Sequence, residues 1–464
     1  MKLRVAPLVI LLSSVAAPAL AQTCTPPTED NFGIGIAPDG NAASVFFSDF
    51  FATAGGAGPA TTTITCPVSV DLARDGFSLY SGDYRGFAQI DTGQSVVLVD
   101  QNGTIVDEDG PFIGDFPANT RFYSTAPGEV LDLDLVLTLD GGAGPDASAS
   151  VDSLDIFRSA FASTASVQGS LDALAGQRAA TALHLYGDTD LLLGFLNPLE
   201  GPNEISAIGA VGSALVGATG RLNFGEGLSF LGGAAYFDQS AGADASGALL
   251  AGALRYVEAG SEPLRVFAEA GIWGSPDIDL AFSRSFEQQT QAGPSDPVVT
   301  TLITSGAAVD GSLIGIYGRL GAVYALNPSN ELAFSATVGR DWFHTEGWTE
   351  SGGGNLFAAT FADQTSSSNF VKATLAWTSS LTAQIDLTAS VALGHTFGDG
   401  HDVDASLLGT TLTGDAPSFT FVEYGARVGW QATDRLSVDG FVYGTTAEHL
   451  GTHLQVGAGV SFAF

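Results

Sequence analysis

The sequence predicts an all-β protein with one linker helix, in which a disulfide-tied N-terminal β-sandwich precedes a twelve-stranded antiparallel transmembrane β-barrel. Three observations carry that prediction. In the last stretch of chain, Leu454, Val456, Ala458, Val460, Phe462 and Phe464 alternate with Gln455, Gly457, Gly459, Ser461 and Ala463. One face of this strand is apolar and the other small and polar, which suits a wall between lipid and a wide polar lumen. In the second half of the chain, tight connections alternate with long ones rich in Gly, Asp, Ser and Thr. Outside the N-terminus no run of about 18 apolar residues occurs, which excludes a helical membrane protein and leaves a barrel open.

The 464 residues exceed what one hydrophobic core usually serves, so at least two domains are expected. Fifty acidic residues against sixteen basic ones give a formal charge of −34. Such a surface repels phosphate and excludes a nucleic-acid partner. The carboxylates read first as solubilising groups of loops and turns, and second as outer-loop ligands for divalent cations near anionic lipopolysaccharide.

Residues 1–21 read as a secretory signal peptide, with a basic start at Lys2 and Arg4, an apolar run from Val5 to Val15 and the ending Ala19-Leu20-Ala21. Cys24 lacks the small-residue context of a lipoprotein. With Cys66 it makes an even count in an oxidising compartment, which favours a structural disulfide over a metal or catalytic pair.

Residues 22–140 break into short β runs separated by Gly, Pro and Asn turns, the spacing of a sandwich. Leu131, Leu133, Leu135, Leu137 and Leu139 alternate with Asp132, Asp134 and Asp140, as a sheet with one wet face requires. The loop from Asp100 to Gly110 offers oxygens for a hard cation without EF-hand spacing, so a solvated hairpin is the default. Tyr84-Arg85-Gly86-Phe87 reads either as a recognition patch or as alternating core. No Gly-x-Ser-x-Gly elbow occurs and no histidine precedes His184, so a triad hydrolase lacks its base. The segments Ser44-Val45-Phe46-Phe47-Ser48-Asp49-Phe50, Thr65-Cys66-Pro67-Val68, Asp75-Gly76-Phe77 and Tyr84 to Gly93 resemble an uncharacterised family of small secreted β-sandwich proteins. That resemblance implies a disulfide-tied sandwich and names no ligand.

Residues 141–150, Gly/Ala/Ser/Asp-rich with Pro145, read as a flexible linker. Residues 151–182 follow as a helical segment. Leu154, Phe157, Phe161, Ala165, Leu171, Leu174 and Arg178 recur at three and four, predicting a helix from Asp152, its N-cap, to Gln177. Small residues at Ala160, Ser163, Ala165 and Gly169 suit a helix threaded through a barrel lumen, and a helix lying at the periplasmic mouth is the other placement.

Residues 183–464 form the barrel. Strands are expected near 207–224, 228–237, 246–257, 264–274, 312–326, 330–345, 368–379, 383–398, 418–432, 435–447 and the C-terminus, with Leu183–Leu196 as the twelfth. Charges must face the lumen, because one on the lipid face near the midplane costs about 2–4 kcal/mol. Arg319, Lys372, Glu423 and Arg427 are therefore expected inside.

The architecture, together with Ile208-Gly209-Ala210-Val211-Gly212 and Gly217-Ala218-Thr219 running into Leu231-Gly232-Gly233-Ala234-Ala235, resembles the β-domain of autotransporters of the type V secretion route. The terminal Phe462 and Phe464 look like the assembly signal of outer-membrane barrels, which implies the barrel assembly machinery as a partner. The resemblance implies an outer-membrane protein whose barrel anchors and exports the sandwich for display at the cell surface, for binding or adhesion to a ligand the sequence does not name. One rival is a porin-like channel with a periplasmic sandwich. Another is a rim enzyme using His395, His401, Asp399, Asp402, Asp404, His449 and His453. No enzyme, cofactor or metal site is expected.

Overall fold

The computed structural model describes residues 22–464 apart from 32, 73, 74, 195, 198, 241, 259–262, 398, 399, 417 and 449. The expected signal peptide, Asp399 and His449 lie outside the described residues. Two compact units emerge.

The first takes in the chain up to Phe161 together with Gln289–Val299. Strand Thr61–Val70 pairs with Leu131–Asp140, which pairs in turn with Ser95–Asp100 and so with Gly103–Asp109. The acidic loop is thus a β-hairpin. A second sheet gathers Ala42–Phe46, Phe51–Ala54, Gly76–Ile90, Phe112–Asp115, Arg121–Thr125 and Ala147–Ser163. Leu133, Leu135, Leu137 and Leu139 of the first sheet share one core with Val45, Tyr80, Val151, Leu154 and Ile156 of the second. The intervening carboxylates point to water, as their alternation requires. A disulfide joins Cys24 to Cys66 with Cα atoms 5.1 Å apart, pinning the short strand Gln22–Thr23 alongside Ile64 and Thr65. In the aromatic stretch at Tyr84, the Tyr84 ring is core while Arg85 stands outside and pairs with Asp155 at 2.7 Å. The Tyr84 hydroxyl meets that of Tyr123 at 2.6 Å, and Tyr123 donates to Asp100 at 2.7 Å. Burial pushes both phenols well above their ordinary range, and the neighbouring carboxylate adds to the rise.

The expected linker and the start of the expected helix are corrected here. Residues 141–146 make a turn, and Ala147–Ser163 is a strand of the second sheet. Its inward alternation changes parity at Ser153–Leu154, so no single period of two runs through the stretch, and the spacing of Leu154, Phe157 and Phe161 reads as helical although all three lie on this strand.

The second unit is a closed twelve-stranded antiparallel barrel around a helix, α1, Thr164–Leu192. Its strands begin with β1 (Glu204–Val211), β2 (Ala214–Gly225), β3 (Leu228–Gln239), β4 (Asp244–Val257), β5 (Leu264–Thr290) and β6 (Val299–Asn327). They continue with β7 (Asn330–Thr345), β8 (Gln364–Ser380), β9 (Ile385–Phe397), β10 (Thr420–Gln431), β11 (Leu436–Ala447) and β12 (Gly451–Ala463). Closure comes from β1 against β12, Ile205 opposite Phe462 and Val211 opposite Val456.

Twelve strands arise by a route other than the expected one. Leu183–Leu192 belongs to α1, so the anticipated first strand is helix. The stretch 207–224 is instead a hairpin, turning at Gly212, whose φ of 110° suits glycine, and Ser213. The stretch between the strands expected near 264–274 and 312–326 is largely strand and not a long loop, because β5 and β6 keep their alternation well past the apolar band.

The barrel wall divides as lipid and lumen demand. Val216, Leu254, Ile316, Leu320, Val338, Leu393, Val428, Trp430 and Val456 stand exposed outside, whereas Arg221, Arg255, Glu269, Arg319, Lys372 and Glu423 are buried inside. A water-facing wall would reverse that pattern, so the apolar girdle is the membrane-facing surface of an outer-membrane-type barrel. Among the described residues one rim carries short connections, including Gly225–Leu228, Asn327–Asn330 and Gln431–Leu436, while the other carries the two long connections between Thr345 and Gln364 and between Phe397 and Thr420. Within those long segments, short strands at Trp348–Thr349, Thr360–Phe361, Val403–Leu407 and Thr410–Gly414 build a small sheet of their own.

Candidate functional site: a helix fastened inside the barrel

Helix α1 starts at Ser163, whose hydroxyl caps the Ser166 amide at 3.2 Å, in place of the expected cap at Asp152. Residues at 1.5 Å rise make it about 43 Å long, more than a membrane-spanning barrel band of about 25 Å. From Ala179 to Leu192 every side chain is buried. With barrel wall on all sides no polar face is needed, so the helix shows no amphipathic stripe.

Its N-terminal half lies among the long connections. Gln168 donates to the Thr413 carbonyl at 2.6 Å, and Asp172 accepts from the Asp415 amide at 3.0 Å. Ser166 accepts from the Glu287 amide at 2.9 Å. Gly414 approaches so closely that a Cβ there would sit 2.4 Å from the Leu171 backbone. Arg284, paired with Glu350, donates to the Ser170 hydroxyl at 2.9 Å. Arg178 reaches the carbonyls of Asp402 and Phe343 at 2.9 and 3.1 Å, its guanidinium 5.3 Å from the Phe343 ring.

The C-terminal half lies deeper, where the wall is continuous. His184 stacks on His453 at 4.6 Å, and Gln455 donates to Asp188 at 2.5 Å. Tyr186 is ringed by Trp273, Tyr317 and Phe370 at 5.7, 6.2 and 4.5 Å. One turn on, Asp190 accepts from Arg319 at 2.6 Å and from Lys372 at 2.5 Å. Lys372 also meets Glu423 at 2.6 Å, Arg319 meets Glu269 at 3.2 Å, and Arg255 meets Glu269 at 2.6 Å. Three cations and three carboxylates thus alternate from β4 through β5, β6 and α1 to β8 and β10. Asp190 is the link supplied by the helix. Buried charges are tolerated only when paired and hydrogen-bonded in this way, and the chain of pairs fixes one depth and one rotation for α1. Beyond the helix the chain reaches the short-turn rim, where Asn223 donates to the Gly201 carbonyl at 2.8 Å and Asn203 accepts from the Asn223 amide at 2.7 Å.

Of the charges expected inside, Arg319 and Lys372 come together on Asp190, and Glu423 joins them through Lys372. Arg427 is held elsewhere, between Asp386 and Asp439, the latter at 2.6 Å. Phe462 and Phe464 stand outside, with the Phe464 amide bonded to the Asn203 carbonyl at 3.0 Å. The rim residues weighed for catalysis are dispersed. His401 pairs with Asp341 at 3.0 Å, His395 meets Thr420 at 3.1 Å, Asp404 accepts from Thr413 at 2.6 Å, and His453 lies against Ser213. Among the described residues no group of three or more His, Cys, Asp or Glu is placed to hold a metal ion.

Sequence reading missed Asp188, Asp190 and Tyr186 as site residues. The signal was present: an aspartate such as Asp190 inside the apolar run Leu183–Leu193 demands polar or cationic partners, and the expected luminal set held three cations against one carboxylate.

No protein family and no curated protein matches the chain. Among solved structures it is similar to the translocator domain of autotransporter NalP from Neisseria meningitidis, at 13% identity over 62% of this chain and 97% of that one, TM-score 0.40. It is also similar to the β-domain of the Bordetella autotransporter BrkA, at 13% identity over 57% of this chain and 99% of that one, TM-score 0.32. A third similar structure is the NanC porin, at 8% identity over 56% of this chain and all of that one, TM-score 0.31.

Proposed function

We propose that the protein is an autotransporter-like outer-membrane protein whose barrel anchors and exports its own N-terminal sandwich, which is displayed at the cell surface for binding or adhesion. The observation that carries this reading is the direction of α1. Its N-terminal half is bonded to the long connections and its C-terminal half descends to the short-turn rim. Short turns belong to the periplasmic side of outer-membrane barrels and long loops to the outside. Chain that precedes Ser163 therefore enters the lumen from outside, as it would after being passed outward through the pore. The same helix disfavours an open channel, since its buried face fills the lumen that a porin leaves to water. Arg319, Lys372 and Glu423 act in this reading as the lock that seats the helix, and Phe462 and Phe464 as the terminal signal for the barrel assembly machinery.

Protease added to intact cells tests it. Digestion of the sandwich with survival of a membrane-inserted barrel is the expected result. A sandwich protected until the outer membrane is permeabilised would sink the reading and favour a barrel with a periplasmic domain.

A further inference from the structure

The N-terminal unit has a sheet edge that its own chain covers only in part. Gln22 and Thr23 run parallel to Ile64 and Thr65, and the Cys24 amide donates to the Thr65 carbonyl at 3.0 Å. The pairing stops there because the Thr25 amide turns to the Asp49 carboxylate at 2.9 Å and the next two residues, Pro26 and Pro27, carry no amide hydrogen. Backbone groups alternate sides along a strand, so the edge that Thr65 presents is presented again by Pro67 and Ser69. Among the described residues no backbone bond reaches that edge between Thr65 and the end of the strand at Val70.

A groove of about 560 Å³ lies at this place. It is lined by the ladder in which Pro67 faces Asp134 and Ser69 faces Asp132, and by the segment from Pro26 to Asp30. The three prolines and Val130 give it apolar walls. Asp132 and Asp134 are joined in the lining by Glu29, Asp30 and Asp71; all five carboxylate residues are exposed, and no lysine or arginine lines the groove among the described residues. An uncovered strand edge accepts another extended chain, apolar walls accept the methylene stem of a long cationic side chain, and the carboxylates accept its head. The same charge turns away a second copy of this groove and any phosphate or sulfate group.

We propose that the groove binds a basic segment of a partner protein in extended conformation, laid along the Thr61–Val70 edge with its cations on Asp132 and Asp134. The proposal rests on the reading of the sandwich as a binding domain and names the chemistry of its partner. Pro67 offers the edge a carbonyl and no amide hydrogen, so charge and apolar contact supply more of the affinity than the backbone ladder does.

The test uses the full chain in a non-ionic detergent and reads fluorescence anisotropy of a labelled heptapeptide alternating lysine and valine, with its glutamate–valine counterpart as control. Binding of the lysine peptide alone is expected. Asp132→Asn with Asp134→Asn should weaken it about fivefold, the effect of losing two exposed ion pairs. Ser69→Lys, which sets a cation at an exposed position facing Asp132, should abolish it. Asp107→Asn with Asp109→Asn removes the same charge from exposed positions of the Gly103–Asp109 strand, away from the groove, and should leave binding unchanged. Absence of binding, or equal weakening by the two aspartate pairs, overturns the groove. Full competition by an equal concentration of acetyl-lysine amide overturns the extended peptide as its occupant. Peptide binding by the purified protein together with a sandwich protected from protease on intact cells would sink surface display and leave the groove standing, whereas a digested sandwich without peptide binding would sink the groove alone.

Discussion

Replacing Asp190 by Asn removes one negative charge from the middle of the luminal chain while keeping its shape. Arg319 then retains Glu269 at 3.2 Å and Lys372 retains Glu423 at 2.6 Å, so neither cation is orphaned. Three cations nevertheless face two carboxylates where the native site balances three with three. Breaking a buried pair costs about 3–5 kcal/mol, and the surviving partners place this case at the low end, about 3 kcal/mol. Because Asp190 is the only helical member of the chain, that cost falls on the seating of α1 against the wall. At roughly 1.4 kcal/mol per tenfold, the unseated fraction should rise about a hundredfold. Planar-bilayer recording reads it directly: the native protein should conduct rarely, and Asp190→Asn should open far more often. Adding Arg319→Met restores the balance as two cations and two carboxylates, Arg255 with Glu269 and Lys372 with Glu423, and should return the trace toward native. Unchanged conductance and thermal stability in Asp190→Asn would refute the claim that this link seats the helix.

Three further outcomes are expected. Deleting Phe464 removes an exposed aromatic and the amide bonded to Asn203, and should lower the heat-modifiable barrel fraction recovered from outer membranes. Replacing Cys24 and Cys66 by Ser opens a loop with a sequence separation of 42, which on chain-entropy grounds should cost the sandwich about 4 kcal/mol, read as earlier loss of protease resistance on heating. Finding both thiols free in protein isolated from cells would contradict the bridge. Tyr84 and Tyr123 titrate above their unfolded value near pH 10 because burial and Asp100 oppose the phenolate, so their contribution is intact below about pH 10 and lost as pH rises toward the folded values. Protease resistance of the sandwich should therefore fall in strong alkali, and Tyr123→Phe should blunt the fall.

Where one face of a strand meets lipid, alternation is strict, and the strands β8 to β12 stand close to where that alternation places them. The leucine ladder from Leu131 to Leu139 is legible for the same reason, having a dry face and a wet one. Elsewhere the pattern was ambiguous on physical grounds. Gly212 and Ser213 turn the chain between β1 and β2 with two small residues, leaving no gap in an otherwise continuous β run. The strand Ala147–Ser163 hides its period of two by changing parity at Ser153–Leu154. Helix α1 offers no stripe because the wall surrounds it, so its leucines at Leu183, Leu185, Leu191 and Leu192 read as easily as a strand. The luminal lock was half visible: the cations on the wall follow from the cost of charge in lipid, but their partner on the helix requires knowing that Leu183–Leu192 is helical.

The most direct test of surface display labels single cysteines on intact cells with a membrane-impermeant maleimide, the native disulfide being unreactive. Thr104→Cys places the probe in the sandwich, Ser418→Cys in a long connection and Asp434→Cys in a short turn, all at exposed positions. Labelling of Thr104→Cys and Ser418→Cys on intact cells, with Asp434→Cys reacting only after permeabilisation, is the predicted result. Labelling of Ser418→Cys together with protection of Thr104→Cys would contradict it, since the sandwich would then lie on the side of the short turns.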